Sequence, residues 1–279
     1  MRNEFKEKLL IFSDLDGTAL NSNHEFSKRT KNTVRKAYEN GHYFIPITAR
    51  STKDGIFTQA INIGIDKLGG IAVSNNGTHI YDFESGTWLR EIYVSQKLIK
   101  KIFNKTFGKV GKYKVHYFAN DITYVYGPGE NSRYWSDIMK VDYKVIESLE
   151  EITKPISHLT IILPDNAGEI EEKELHKDFN FAKRGLDIIK YTNRVYEIIP
   201  KNINKGEAAQ FISKHFAKKK KSFQSICFGD NFNDIPLFEK TDYSVAMDNA
   251  IDTLKKIATH KTLSNNEDGV AHFIEKEIL

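Results

Sequence analysis

The sequence predicts an α/β fold: a doubly wound parallel sheet core with an inserted α+β cap domain. Short apolar runs alternate with helical patterns at both ends of the chain, while the middle is rich in strand patterns. Length agrees, since 279 residues with 40% hydrophobic content suffice for one or two packed cores.

Residues 9–12, Leu-Leu-Ile-Phe, read as a buried central strand. Ser27 has the chemistry of a helix N-cap, Val34, Ala37 and Tyr38 form an apolar stripe, and Gly41 supplies the stop. A second strand over residues 43–47 leads into a helix over 52–63, and a third apolar run spans 70–73. From about Tyr81 the character changes: residues 88–94 suit a strand and 96–107 a helix. Residues 113–118 and 122–126 read as a hairpin turned by Ala119-Asn120-Asp121. Strands follow over 156–163, 186–189 and 195–199, with a helix near 168–177. After Pro200 the α/β rhythm returns. Lys205 opens a helix that carries Ala208, Ala209, Phe211 and Ile212 on one side and ends near His215 and Phe216. Strands over 226–228 and 243–247 and helices over 251–258 and 270–278 complete the chain. Residues 1–82 and 192–279 are expected to form one core, and 83–191 a cap.

Composition excludes several classes. No run is apolar and long enough to span a membrane, and the apolar stretch behind the charged N-terminus is too short for a signal-peptide core. A single cysteine, Cys227, rules out an internal disulfide framework and favours a reducing cytoplasm; inside a strand, it reads as packed core. The triplets Asn76-Gly77-Thr78 and Asn104-Lys105-Thr106 are then read as unmodified. The net charge of +4 suits anionic small molecules, and the basic run Lys218 to Lys221 reads as a solvated helix end rather than a nucleic-acid patch. Nine histidines without a His-x-x-x-His or Cys-x-x-Cys pairing argue against zinc, and no phosphate-binding Gly-x-x-x-x-Gly-Lys loop is present. The aromatics Tyr117, Phe118, Tyr124, Tyr126, Tyr134 and Trp135 are expected to pack rather than to stack on a ligand.

Four segments sit just past predicted strand ends or at a helix start, where open parallel sheets bind ligands. In Asp14-Leu15-Asp16-Gly17-Thr18, one carboxylate can attack phosphorus while the other manages protons, and together they can hold a hard cation; alone, it would be a loop with two solvated aspartates. Thr48-Ala49-Arg50 offers a hydroxyl, backbone N–H groups and a guanidinium to phosphate oxygens, although a plain strand-to-helix turn has the same composition. Lys205 opposes the helix macrodipole, which a nearby acidic site or phosphate would explain, although taken alone a plain exposed lysine is the ordinary reading. In Gly229-Asp230-Asn231-Phe232-Asn233-Asp234, Asp230 can complete a cation's oxygen shell and Asn233 can donate to phosphate; the ordinary alternative is an N-cap cluster. Their order and complementary chemistry make coincidence a poor explanation.

Together the four segments resemble the motifs of the haloacid dehalogenase-like phosphatase superfamily. The large insertion between the second and third, Asn75-Asn76-Gly77, and Glu267-Asp268-Gly269-Val270-Ala271 are similar to its Cof-type subgroup. The resemblance spans the core; the cap matches only in size and strand-helix mixture. It implies a Rossmann-like core in which Asp14 forms an aspartyl-phosphate, while Asp16 protonates the leaving oxygen and then activates water. It implies that the backbone at Leu15, with Thr48, Ala49, Lys205 and Asn233, holds the phosphoryl group, and that Arg50 touches substrate. Mg2+ would be bound by Asp14, the Asp16 carbonyl and Asp230, with Asp234 as a further ligand or behind them. Ala49 stands where glycine is common but keeps the N–H, and Pro236 places a helix start near Asn233.

The expected activity is Mg2+-dependent phosphate removal from small phosphorylated metabolites in the cytoplasm, sugar phosphates or nucleotides. No nucleic-acid or membrane partner is expected, and no motif bears on oligomeric state. Two alternatives stay open: a phosphotransferase or phosphomutase acting on sugar phosphates, and a non-catalytic binding module on the same fold. Intact Asp14, Asp16, Lys205 and Asp230 argue against the module.

Overall fold

The computed structural model describes residues 5, 7–130, 132, 142–190, 192–218 and 222–279. They divide into two compact units: Met1–Glu91 with Ile203–Leu279, and Ile92–Asn202.

In the first unit, β1 (Leu9–Ser13) is buried throughout, as an apolar run inside a parallel sheet should be. Ser27 caps α1 (Lys28–Glu39) by accepting the Thr30 N–H, and Gly41 ends it in the left-handed region at φ +79°. β2 (Tyr43–Pro46) follows. The helix expected over 52–63 is half π-wound, Thr52–Thr58, and half α-helical, α2 (Gln59–Ile63). Next comes an antiparallel meander of β3 (Ile71–Ser74), β4 (His79–Asp82) and β5 (Thr87–Glu91). The sequence pattern did not disclose β4, because its polar ends His79 and Asp82 break the apolar run, yet both are buried.

The second unit opens with α3 (Gln96–Thr106), then β6 (Lys114–Phe118), β7 (Thr123–Tyr126), β8 (Tyr143–Val145) and β9 (His158–Ile162). It ends with α4 (Glu169–Asp178), β10 (Leu186–Lys190) and β11 (Val195–Pro200). The strands form one sheet in the order β10-β11-β9-β6-β7-β8. Alternate residues Val115, Tyr117, Leu159, Ile161, Tyr196 and Ile198 share one core with Ile99, Ile102 and Phe103 of α3 and Leu175 of α4. The expected hairpin closes through the Ala119 N–H on the Ile122 carbonyl (2.9 Å). Tyr117, Tyr124 and Tyr126 lie in this core, and Phe118 stacks on His158 at 4.3 Å. Tyr134 and Trp135 lie outside the described residues.

The chain returns to the first unit through α5 (Lys205–Lys218), β12 (Gln224–Gly229), α6 (Ile235–Lys240) and β13 (Tyr243–Ala246). α7 (Asp252–Ile257), β14 (His260–Lys261) and α8 (Gly269–Phe273) complete it. α5 runs beyond Phe216 to Lys218; Lys219 to Lys221 lie outside the described residues. Phe211 is half-buried rather than core, with the Arg90 guanidinium 4.1 Å from its ring centroid. Pro236 falls in the first turn of α6, and Cys227 is buried in β12.

The central sheet is wholly parallel, ordered β14-β13-β12-β1-β2. β1 therefore lies between β12 and β2, and the strand order reverses beside it. Such a reversal opens a crevice at the carboxyl ends of the strands. Ser13 pairs with both Phe228 and Pro46, so three loops distant in sequence leave the sheet side by side.

Candidate active site

Three glycines let these loops approach one another. A Cβ on Gly17 would lie 2.4 Å from Oδ2 of Asp230, and Gly17 takes φ +75°. A Cβ on Gly229 would meet Cβ of Asp234 at 2.7 Å, and one on Gly206 would meet the Pro236 carbonyl oxygen at 2.0 Å. Chain connection adds to this: the Asp14 N–H donates to the Phe228 carbonyl (3.1 Å).

Asp14, Lys205, Asp230 and Asp234 meet at this point. Lys205 Nζ, fully buried, lies 2.7 Å from Oδ1 of Asp14 and 2.6 Å from Oδ1 of Asp234. The other Asp234 oxygen accepts the N–H groups of Asp230 (3.0 Å) and Asn231 (3.1 Å). Thr18 donates to Oδ1 of Asp230 at 2.8 Å. Burial favours a neutral Lys205 amine, but Asp14 and Asp234 outweigh it and hold its pKa above the usual value. Burial, reinforced by Asp234 and Asp230 against Lys205, holds Asp14 well above the ordinary carboxylate range. Burial and Asp234 push Asp230 up to about 6.

Carboxylate oxygens of Asp14, Asp230 and Asp234 lie within 4.8 Å of one another. All are hard oxygen donors, and Lys205 offsets only part of their charge, so the cluster fits a hard divalent cation.

Asp16 sits differently. Its carboxylate faces the Arg50 fork, with Nε 2.7 Å from Oδ2 and Nη2 2.6 Å from Oδ1. His24 Nδ1 is 2.9 Å from Oδ1. Burial would raise the Asp16 pKa, but Arg50 and His24 together hold it below the ordinary value. Thr48 is buried at the end of β2 and its hydroxyl accepts the Arg50 N–H (3.1 Å). Leu15 is buried and Ala49 half-buried at the neighbouring strand ends. Asn233 is half-buried, its amide 3.5 Å from Oδ1 of Asn76. Asn75 and Asn76 both take positive φ (49° and 54°), and their N–H groups bond the carbonyls of Arg50 and Thr48.

The sequence matches the haloacid dehalogenase-like hydrolase family over residues 11–274. The chain belongs to that family. A Haemophilus influenzae protein provisionally named a phosphatase is 29% identical over 274 residues, covering 96% of this chain and 97% of that protein. A Bacillus subtilis 5-amino-6-(5-phospho-D-ribitylamino)uracil phosphatase is 26% identical over 289 residues, covering 95% and 96%. Among solved structures, a haloacid dehalogenase-like hydrolase from Bacteroides thetaiotaomicron superposes with TM-score 0.82 at 23% identity, covering 97% of this chain and 99% of that one. A subclass IIB sugar phosphatase of the same superfamily gives TM-score 0.76 at 20% identity, covering 96% and 98%. The likeness in structure is one of fold: a parallel-sheet α/β core shared with other haloacid dehalogenase-like hydrolases.

In this haloacid dehalogenase-like hydrolase, the site includes residues that spacing did not reveal. Thr18 lies in the Asp14 loop, and its partner Asp230 comes from a strand end far away in sequence. Asn249 donates to the Gly17 carbonyl at 2.8 Å from a loop no motif marked. His24 belongs to a polar stretch, and only its left-handed backbone (φ +59°) directs the ring to Asp16. Asp54 is 2.7 Å from Nη1 of Arg50 because the Thr52–Thr58 turn returns it one turn later. An acid four residues after Arg50 was the available signal for that pair.

Proposed function

We propose that this hydrolase is a cytoplasmic, Mg2+-dependent phosphatase that removes phosphate from small phosphorylated metabolites, sugar phosphates or nucleotides. The observation that carries the reading is the buried contact of Asp14 with Lys205 beside Asp230 and Asp234. The substrate class is suggested by the names of relatives that act on a ribitylamino phosphate and on sugar phosphates. In this reading the unit Ile92–Asn202 is the cap that shapes specificity.

An Asp14 carboxylate oxygen attacks phosphorus, and the bond to the leaving oxygen breaks as that oxygen takes a proton from Asp16. Water then attacks the aspartyl-phosphate; Asp16 takes its proton, the bond to Asp14 breaks and free phosphate forms. Lys205, Thr48, Asn233 and the N–H groups of Leu15 and Ala49 hold the phosphoryl oxygens. Asp14, Asp230 and the Asp16 carbonyl are the proposed metal ligands. Asp234 either joins them or fixes Lys205 behind them, a role favoured by its engagement with Lys205 and two amides. Bound Mg2+ would neutralise the carboxylate cluster and the charge on the transferring oxygens.

The test is phosphate release from a panel of phosphate esters, with Mg2+ and with a chelator. Release is expected with Mg2+ only and is expected to vanish in Asp14→Asn. Equal release in chelator, or full activity of that variant, overturns the proposal. A phosphorylated isomer in place of free phosphate would identify a transferase.

A further inference from the structure

The Asp16 carboxylate is held by two residues, Arg50 and His24, whose backbones are themselves tied in place. Arg50, 9% exposed, contacts both Asp16 oxygens through Nε and Nη2, a two-point contact that fixes position and rotation together. The fork is anchored in turn. Nη1 donates to Oδ2 of Asp54, whose Oδ1 accepts from Gln59 (3.1 Å). The Arg50 backbone is tied to the Thr48 hydroxyl and to the Asn75 N–H.

His24 comes from a tethered turn, and its Nδ1 reaches the oxygen that Nη2 also contacts, the two nitrogens lying 3.3 Å apart. The Asn21 side chain accepts the N–H groups of Asn23 (2.9 Å) and Glu25 (3.1 Å), which holds the turn together. Asn265 donates to the Leu20 carbonyl (2.9 Å) and Asn266 accepts the Ser22 N–H (2.9 Å), which ties the turn to the C-terminal segment.

A guanidinium on both oxygens leaves the Asp16 carboxylate one position and one rotation at the end of β1. We propose that Arg50 and His24 are positioning residues that hold the Asp16 carboxylate for the water-activating half of the reaction, an inference that rests on the phosphatase reading above. In that half-reaction water bonds phosphorus, its proton passes to Asp16, and the bond from phosphorus to Asp14 breaks. Arg50 therefore acts through Asp16, with Nε, Nη1 and Nη2 engaged by carboxylates, rather than by gripping the substrate phosphate.

The experiment follows nitrophenolate release from p-nitrophenyl phosphate, by stopped flow and at steady state, in wild type, Arg50→Lys and His24→Ala. This leaving group departs without an acid, so only the second half-reaction needs Asp16. Arg50→Lys keeps the charge but loses the fork. Its kcat is expected to fall about 10²-fold, the scale of general-base catalysis, and that of His24→Ala about tenfold. KM should fall in proportion, leaving kcat/KM unchanged, with a burst of one nitrophenolate per enzyme as the phosphoenzyme accumulates. His24 is exposed enough that its removal leaves folding intact, so it decides the matter if Arg50→Lys does not fold. A fall in kcat/KM with no burst overturns the proposal and returns Arg50 to substrate binding. Unchanged kcat in His24→Ala and Arg50→Lys overturns it as well. Failure of the wild type to release phosphate from any ester would instead remove the phosphatase reading itself.

Discussion

Lys205→Met is the perturbation whose outcome the site geometry determines most sharply. Methionine keeps most of the side-chain length but removes the ammonium that lies 2.7 Å from Asp14 and 2.6 Å from Asp234. Lys205 is fully buried, so water cannot replace it. Removing one partner of a buried ion pair costs about 3–5 kcal/mol, because the remaining charge is left uncompensated. At about 2–4 °C per kcal/mol for a domain of this size, the melting temperature should fall by about 6–20 °C in chelator. A divalent cation bound to the same carboxylates restores part of the loss, about 2.7 kcal/mol at a hundredfold excess over Kd. The Mg2+-induced rise in melting temperature should therefore be larger in the variant than in wild type. In a double-mutant cycle, Asp14→Asn should cost less in the Lys205→Met background than alone, since the charge it removes is already unpaired. The assay is thermal unfolding with Mg2+ and with chelator. A variant that melts with the wild type in chelator, or gains no more from Mg2+, refutes this account of the cluster.

The glycines provide two further tests. Gly206→Ala should gain about 1 kcal/mol from helix propensity alone, yet its Cβ would lie 2.0 Å from the Pro236 carbonyl oxygen. Overpacking of about 1–3 kcal/mol should prevail, so urea unfolding should show net destabilisation, with reduced activity as α5 shifts Lys205. Gly17→Ala combines φ +75° with a Cβ 2.4 Å from Oδ2 of Asp230; titration calorimetry should show weakened Mg2+ binding. For pH, burial pushes His79 and His116 down to about 4, from an ordinary value of 6.5. The unfolded chain takes up these protons first, so stability should fall as pH drops from 6.5 toward 4, by up to about 3 kcal/mol for each histidine. His116→Gln should flatten that slope in urea titrations by about 1.4 kcal/mol per pH unit, and an unchanged slope would disprove the assignment.

Much of this was legible in the chain itself, for a local reason. Apolar runs at Leu9–Ser13 and Gln224–Gly229 are buried on both faces, so nearly every residue shows it. Ser27 and Gly41 mark helix ends because capping is a contact over a few residues. The segments around Asp14, Thr48, Lys205 and Asp230 were visible because each joins unusual chemistry to a strand end or helix start. What local pattern left unread depends on distant partners. β4 is hidden because burial of His79 and Asp82 comes from the surrounding fold rather than from their own polarity. Local pattern also does not disclose that the Arg50 guanidinium meets the carboxylates of both Asp16 and Asp54. That pairing requires the ends of β1 and β2 to emerge side by side, and His24 to adopt a left-handed turn. Residue types and their order determined the family, the fold class and the chemistry available to the site. Only the parallel pairing of β1 with β12 and β2 decided which charges meet, because direct ion-pair contact needs a few ångströms, a scale that separation along the chain does not encode.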